Sequence, residues 1–355
     1  MSELRQNIAT KEWVIIAPER SNRPEDFAVR EEKTSRPTND VANCPFCPGN
    51  EHLTPAERGA IYDAEGQWLV RAVANKYPAL SPEGELSYQE NGTRRWISGV
   101  GVHDVIVENR DHHASIPRME LPQVERLLRL YRRCYNSVSQ DSRVELVTLF
   151  KNHGAAAGAS LAHPHSQLIG TPVVPADIRQ RTNLALRYYD DHRTCVYCTM
   201  LAEELRTRER LVYETEHFAC FVLYAALSPF HLWLLPKRHA SAFSDVTDAE
   251  LCDLSKALRV VLGKIDCGLG DPDYNFVVRS RPGHSFDSPY LHWYMSIVPR
   301  VSTSAGFELG SGMFINTLLP ERAADFLRGV ELTPPLFASE HLDEPGSAEQ
   351  GATLR

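Results

Sequence analysis

The feature that most constrains this chain is an arrangement of cysteines and histidines that occurs twice. In each half, two cysteines separated by two residues precede two histidines that stand far apart. The first set is Cys44, Cys47, His112 or His113, and His163, and the second is Cys195, Cys198, His239 and His292. The two-residue spacing allows a tight turn to present both thiolates to one tetrahedral metal ion. The chain is therefore predicted to fold as two related units, each built around a four-ligand metal site.

The segments around these residues repeat as well. His163 follows His112 by 51 residues, and His292 follows His239 by 53. Each half also has a hexapeptide, YPALSP or YAALSP, and an apolar run typical of a strand. A helical stretch and a further strand follow, at 121–137 and 144–150 in one half and at 248–264 and 274–279 in the other. We predict an α+β fold of two tandem halves, each an antiparallel sheet with flanking helices, fused into one protomer as residues 1–175 and 176–335, with a disordered tail at 336–355.

Composition narrows the class of protein. Hydrophobic residues make up 43% of the chain and charged residues 24%, which is typical of a globular protein. A net charge of -8 argues against a nucleic-acid-binding protein that relies on a basic surface. No apolar run approaches the ~18 residues that a membrane-spanning helix needs, and the N-terminus lacks the apolar region of a secretion signal. We therefore predict a cytoplasmic protein with neither nucleic-acid nor membrane partners.

In a reducing cytoplasm, the paired cysteines are better explained as metal ligands than as disulfides. Two thiolates and two imidazoles favour zinc, although iron fits the same donors. Four protein ligands leave no open position for water, so both sites are predicted to be structural. A thioredoxin-like role is disfavoured because neither pair lies between a strand and a helix start. The remaining cysteines are interpreted as small core residues: Cys134, Cys220, Cys252 and Cys267.

The two halves differ where the last histidine stands. The first half reads His163-Pro164-His165, whereas the second places Tyr294 two residues after His292. Residues two apart in a strand share a face, so His165 is expected beside the metal site while the second half lacks a nucleophile. A small-residue loop, residues 152–160, comes just before His163 and includes Gly158. Such a loop lets backbone N–H groups approach an anion, so it is predicted to bind phosphate.

The segment Asn-x-Gly-Ala-Ala-x-Gly-x-Ser followed by His-x-His-x-Gln resembles the galactose-1-phosphate uridylyltransferase branch of the histidine-triad superfamily. The resemblance spans about residues 5 to 330 and includes residues 13–24, the first cysteine pair, 110–112 and 236–239. It implies that Cys44, Cys47, His112 and His163 bind zinc and that His165 is the nucleophile. It also implies roles in substrate binding for further residues: Arg20, Arg23, Asn75, Asn152, Gly158, Ser160 and Gln167. Members of this family commonly form homodimers, which implies the same assembly here.

The chemistry of these side chains agrees with that resemblance. A neutral imidazole can attack phosphorus if its other nitrogen is held in one tautomer by a carbonyl group. The resulting nucleotidyl-histidine can pass its group to a second acceptor, which is double-displacement kinetics. Gln167 cannot protonate a leaving group, but its amide can donate hydrogen bonds to a phosphoryl oxygen, as suits a sugar phosphate that leaves as a stable anion. The catalytic residues are predicted to be His165, Gln167 and Ser160.

The chain departs from the uridylyltransferases where they recognise the sugar. Ser311 and Gly312 replace a tyrosine and a glutamate of the family, and Leu318 or Leu319 stands near a usual glutamine. Lys76 takes the place of an aspartate near the base. These changes remove hydroxyl-binding partners on which selectivity between sugars depends. The combination resembles the ADP-glucose phosphorylase subgroup, in which phosphate is the second acceptor.

We therefore expect a nucleotidyltransferase that moves NMP from a nucleotide sugar to phosphate or a sugar 1-phosphate through His165, and we favour an ADP-glucose phosphorylase-like enzyme. The alternatives are a UDP-glucose:hexose-1-phosphate uridylyltransferase of galactose metabolism and a dinucleoside polyphosphate phosphorylase or hydrolase. A further alternative is a non-catalytic, zinc-ordered binding module. The base, the sugar and the second acceptor stay open at this stage.

Overall fold

The computed structural model describes residues 1–20, 24–27, 41–283 and 288–332, except for the side chains of Glu25 and Asp26. Arg23 and the predicted tail at 336–355 lie outside the described residues. Within the described ranges, no helix combines the length and the apolar character needed to span a bilayer.

The described ranges contain fifteen strands: β1 (Glu3–Gln6), β2 (Trp13–Ile16), β3 (Glu57–Tyr62), β4 (Trp68–Ala74), β5 (Tyr88–Asn91), β6 (Arg94–Ile97), β7 (Val102–Val107), β8 (Leu146–His153), β9 (His165–Thr171), β10 (Leu211–Glu214), β11 (Phe218–Val222), β12 (Leu232–Pro236), β13 (Tyr274–Arg279), β14 (Tyr294–Pro299) and β15 (Phe314–Asn316). They also contain six α-helices: α1 (Leu121–Ser139), α2 (Ala176–His192), α3 (Val196–Thr207), α4 (Asp248–Leu269), α5 (Gly306–Ser311) and α6 (Pro320–Gly329).

Ten of these strands form one antiparallel sheet in the order β10-β11-β12-β14-β13-β8-β9-β7-β4-β3. The five strands of the first half occupy one side and the five of the second half the other. The halves meet where β8 pairs with β13, with Tyr274 opposite His153 and Val278 opposite Leu149. The predicted α+β class with antiparallel sheets is confirmed, and the structure adds that the two sheets are continuous.

One face of this sheet is covered by α1 and α4, which pack against each other. Apolar residues of α1 recur every three or four positions, so that Val124, Leu127, Leu128 and Tyr131 are buried together. The opposite face of the central strands carries the less buried side chains of β8 and β9. Because side chains alternate along a strand, this face is free to carry a site.

Helix α4 begins at a capping box and runs five residues past its predicted end, to Leu269. The Thr247 hydroxyl accepts the Glu250 N–H at 3.2 Å, and the Glu250 carboxylate accepts the Thr247 N–H at 2.8 Å. Gly270 ends the helix with a φ of 72°, which only glycine adopts without strain. The additional turn extends the buried apolar face of the helix as far as Leu269.

A smaller sheet joins the two ends of the described chain in the order β1-β2-β15, with β15 parallel to β2. The segment that departs from the family pattern at Ser311 and Gly312 lies next to it. It forms the short helix α5, which Gly312 ends with a φ of 70° before β15 begins. Both residues are exposed, so this segment forms a surface turn.

Candidate active site

The first metal-ligand set converges at one end of the first half. One ligand atom each from Cys44, Cys47, His112 and His163 lies within 4.8 Å of the others, and all four residues are buried. The Cys47 Sγ atom is 3.3 Å from Nδ1 of His112 and 3.5 Å from Nδ1 of His163. Burial, with the neighbouring Cys44 thiol, raises the pKa of Cys47 to about 12. Two thiolates so close together need a cation, which fits a metal ion at their centre.

The structure distinguishes between the two candidate third ligands. His112 is buried and directs Nδ1 at the cysteines, whereas His113 is exposed and lies outside the group. The second nitrogen of His163 also has a defined partner, because its Nε2 lies 2.7 Å from the carbonyl oxygen of Asn109. That bond places the ring proton on Nε2 and leaves the Nδ1 lone pair for the metal.

The second set repeats this arrangement with Cys195, Cys198, His239 and His292, whose ligand atoms also lie within 4.8 Å of one another. The Cys198 Sγ atom is 3.3 Å from Nδ1 of both His239 and His292. His292 Nε2 lies 3.0 Å from the carbonyl oxygen of Pro236. Both sets therefore have the donors and the ring orientation that a tetrahedral metal site requires.

His165, the first residue of β9, follows the metal-ligand residue His163 by two positions. Its Nδ1 is 2.8 Å from the carbonyl oxygen of His163, so Nδ1 carries the proton and Nε2 carries the lone pair. His165 is 6% exposed and lines a cleft together with Lys151, Asn152 and Ser160. Burial lowers the pKa of His165, which keeps the ring neutral near pH 7. A neutral, oriented imidazole at the base of a cleft is suited to nucleophilic attack.

The small-residue loop also lines this cleft, but its backbone donors are mostly used within the fold. The Ala156 N–H donates to the Asp273 carboxylate at 2.7 Å, and the next three N–H groups donate to the carbonyls of Gly154 and Ala155. A Cβ at Gly154 would collide with the Asp273 carboxylate, which explains the glycine. The expectation of a backbone phosphate cradle is thus wrong for residues 156–159, because a carboxylate and carbonyls already accept these donors.

Two predicted side chains remain to meet a ligand in the cleft, Asn152 and Ser160. The Asn152 Oδ1 atom accepts the side-chain amide of Asn275 at 2.7 Å, and Asn275 in turn accepts Arg300 Nε at 2.5 Å. These two hydrogen bonds fix the orientation of the Asn152 amide, so that its nitrogen is the group left for the cleft. The same nitrogen lies 3.5 Å from the Gly158 carbonyl oxygen. Asn275 belongs to the second half, which therefore orients a side chain of the first.

Sequence analysis missed a buried polar network behind His165. Lys151 of β8 donates to Glu108 at 2.7 Å, and their side chains are 1% and 0% exposed. Lys151 also lies 3.4 Å from the His165 carbonyl oxygen. Tyr131 and Ser166 both donate to the other Glu108 oxygen, the tyrosine at 3.1 Å. The available signal was that Lys151 follows the buried Leu149 by two residues, and so faces the core rather than solvent.

We expect Glu108→Gln to lower the free energy of unfolding by about 3 kcal/mol or more, because it leaves the Lys151 ammonium buried without a counter-charge. Urea denaturation at pH 7 measures this loss. The matched control is Glu125→Gln, which removes a half-buried carboxylate from an ion pair with Arg129 within α1 and should cost less than about 1 kcal/mol. Equal effects of the two substitutions would contradict a special contribution from the Glu108–Lys151 pair.

The other predicted substrate-binding residues are placed differently. Gln167 is half-buried in β9, on the same face as His165, and its Oε1 lies 2.9 Å from Nε2 of His103. Asn75 reaches the same His103 nitrogen at 3.1 Å, so the structure brings Asn75 and Gln167 together. Arg20 is exposed in a 3-10 turn after β2 and lies outside the residues that line the cleft.

The equivalent position in the second half is filled by aromatic side chains. Tyr294 takes the place of His165, and its ring stacks on Trp233 with the centroids 4.1 Å apart. Burial raises the pKa of Tyr294, although Arg181 and Arg279 act in the opposite direction. A buried neutral phenol is a poor nucleophile, so this position of the second half has no equivalent of the His165 imidazole.

Comparison with known proteins gives two family matches in sequence order. Residues 1–175 match the N-terminal domain and residues 180–277 the C-terminal domain of galactose-1-phosphate uridyl transferase. An ADP-glucose phosphorylase from Arabidopsis thaliana is 35% identical over 93% of each chain. A galactose-1-phosphate uridylyltransferase from Thermotoga maritima is 33% identical over 94% of this chain and 99% of its own. The crystal structure of an ADP-glucose phosphorylase from Arabidopsis thaliana with bound ADP-glucose superposes with a TM-score of 0.79 at 31% identity, covering 94% of this chain and all of that one.

Proposed function

Since the chain belongs to the galactose-1-phosphate uridyl transferase family, we propose that it is a nucleotidyltransferase of the ADP-glucose phosphorylase type. It moves AMP from an ADP-sugar to phosphate by way of a covalent intermediate on His165. The observation that carries this proposal is the His165 ring, which is neutral, oriented through Nδ1 and open to the cleft through Nε2. The relative with bound ADP-glucose supports the choice of nucleotide.

In the first half-reaction, Nε2 of His165 attacks the phosphorus next to the ribose. The bond from that phosphorus to the bridging oxygen breaks, and the sugar 1-phosphate leaves with the electron pair. The proton on Nδ1 stays in place because the His163 carbonyl accepts it, so the ring becomes a cation with its charge beside that carbonyl. In the second half-reaction, a phosphate oxygen attacks the same phosphorus and the P–N bond breaks, which returns the neutral ring.

The side chains around His165 supply binding and orientation. The Asn152 amide and the Ser160 hydroxyl line the cleft and can donate to phosphoryl oxygens. Gln167 adds an amide on the same face of β9. These donors stabilise the charge that develops on the phosphoryl group during attack and departure.

The two Cys2His2 sets fit zinc, because both direct imidazole Nδ1 atoms and thiols at one point. Bound zinc ties the loop after each cysteine pair to the sheet and is closed to water. In the first half, the metal ligand His163 also holds His165 through its backbone carbonyl. Cys44, Cys47, His112 and His163 thus contribute by fixing the position of the nucleophile.

Labelled substrate tests both the intermediate and the base. We expect ADP-glucose carrying ³²P at the phosphate next to the ribose to leave label on the protein, and UDP-glucose labelled in the same way to leave much less. The label should be stable in alkali and lost in acid, as for a phosphoramidate, and should leave as ADP when phosphate is added. Wild-type protein that takes no label from either nucleotide, or equal label on His165→Ala, would overturn the proposal.

A second candidate is uridylyl transfer between UDP-glucose and a hexose 1-phosphate, as in galactose metabolism. The relative from Thermotoga maritima favours it. The exposed turn at Ser311 and Gly312 counts against it, because serine and glycine offer little to hold sugar hydroxyls. Label from UDP-glucose that is released by galactose 1-phosphate and not by phosphate would establish this activity instead.

The assembly and the location belong to the same proposal. We propose a homodimer, as the family resemblance implies, and exposed apolar side chains such as Phe307 and Leu309 offer surface for it. A cytoplasmic location is supported by free thiols at all eight cysteines, four of them in metal-ligand sets that require reduced sulfur.

A further inference from the structure

The carbonyl oxygen of Gln167 is held by a histidine that sequence analysis did not single out. His103 lies in β7, next to β9 in the sheet, and its Nε2 is 2.9 Å from Oε1 of Gln167. The ring is half-buried and stands between Gln167 and the 75–79 segment. Because an amide presents a donor at one end and an acceptor at the other, this contact determines which end of the Gln167 amide is left for a ligand.

The direction of that hydrogen bond follows from the other side of the ring. The backbone N–H of Ala79 lies 3.1 Å from Nδ1 of His103. A backbone N–H can only donate, so Nδ1 must accept, and the proton of the neutral ring is on Nε2. His103 therefore donates from Nε2 to Gln167 Oε1.

A third contact tests this assignment. Asn75 accepts the Tyr77 N–H through Oδ1 at 2.8 Å, which places its Nδ2 3.1 Å from His103 Nε2. If His103 Nε2 were the acceptor, it could accept a hydrogen bond from the Asn75 amide. The ring proton would then be on Nδ1, where it would face the N–H of Ala79, which is also a donor. That tautomer also provides no donor for Gln167. The Nε2–H tautomer satisfies Ala79 and Gln167, and it makes the 3.1 Å approach of Asn75 Nδ2 to Nε2 a contact between two donors instead of a hydrogen bond.

With Oε1 occupied, the Gln167 N–H groups are the free end of the amide. Gln167 and His165 are two apart in β9 and share a face, so those N–H groups lie on the side of the nucleophile. A phosphoryl oxygen only accepts hydrogen bonds, and a Gln167 turned the other way would present a carbonyl oxygen to it. We propose that His103 is a positioning residue that fixes the Gln167 amide with its N–H groups toward the transferred phosphoryl group. This inference rests on the proposed function of His165.

A double-mutant cycle on the first half-reaction tests the proposal. His103→Phe keeps a ring but removes the donor, and it should lower kcat/KM about 10-fold, mostly through kcat. His103→Gln is the conservative variant, because its amide nitrogen can still donate to Gln167, and it should stay within about threefold of wild type. In a Gln167→Ala background, His103→Phe should change the rate less than about twofold, since there is no amide left to orient. A 10-fold loss in that background would overturn the proposal and indicate a general structural role.

The tautomer can be measured without activity. In ¹⁵N spectra of the uniformly labelled wild-type protein, with His103 assigned by its absence in His103→Phe, Nε2 should appear as the protonated nitrogen and Nδ1 as the unprotonated one. The reverse pattern would overturn the proposal even if the variants lose activity. If wild-type protein takes no nucleotidyl label on His165, the proposed function fails instead, and the tautomer measurement still reports on His103 separately.

Discussion

Replacing His165 by alanine is expected to lower nucleotidyl transfer by about 10⁴-fold or more, the largest effect of any single substitution in this chain. His165 lines the cleft, and the His163 carbonyl holds the proton on its Nδ1, so the lone pair for attack is on Nε2. Both half-reactions use this atom, so both should be lost. Exchange of labelled sugar 1-phosphate into the nucleotide sugar measures the first half-reaction alone, and net formation of the second product measures the two together.

Two further variants make this result specific. His165→Gly leaves space for a free imidazole, and added imidazole should restore part of the first half-reaction. Tyr294→Phe changes the residue at the equivalent position of the second half, and it should keep wild-type exchange because Tyr294 is packed on Trp233 away from the cleft. Full exchange activity in purified His165→Ala would rule out the covalent mechanism.

Removing one metal site at a time should give the second largest effects, and the two sites should differ. Cys47→Ala and Cys198→Ala should each reduce bound zinc from two ions per chain to one, and each should lower the free energy of unfolding by at least about 3 kcal/mol. Cys47→Ala should also lower turnover about 100-fold, because His163 positions His165 through its carbonyl. Cys198→Ala should lower stability far more than turnover.

Metal content by mass spectrometry and urea denaturation measure these changes, and activity should be compared per folded molecule. Cys220→Ala is the matched control, since this cysteine is buried in β11 outside both sets. It should keep both metal ions. Equal losses of turnover in Cys47→Ala and Cys198→Ala would contradict the assignment of catalysis to the first half.

The repeated cysteines and histidines were enough to predict two related α+β halves, because the same spacing of metal ligands occurs twice along the chain. Strand β13 also begins and ends where its alternating apolar residues predicted. The pairing of β8 with β13 could not be predicted in this way. Sequence periodicity identifies a strand and its buried face, but it does not identify the neighbouring strand.

Sequence analysis could identify site residues that stand together in one short motif. It could not identify residues that act through a partner far away in the sequence. His163 and His165 stand in one short segment, so their spacing predicted that they lie side by side, and the family resemblance implied their roles. Glu108 and Lys151 are 43 residues apart, and only the fold shows that they form an ion pair. His103 lies 64 residues from Gln167 and entered no motif. The backbone donors of the small-residue loop were misjudged because Asp273, a residue of the other half, accepts one of them.

The continuous sheet means that the first 175 residues are not a separable enzyme. A cut between the halves would expose the edge of β8 along its whole ladder with β13. It would also take Asn275 away from Asn152 and Asp273 away from the loop. The second half thus supplies a pairing strand for β8 and two side chains that hold residues of the first half in place. Substitutions at Asn275 or Asp273 are therefore expected to lower activity, although neither residue lies in the half that carries His165.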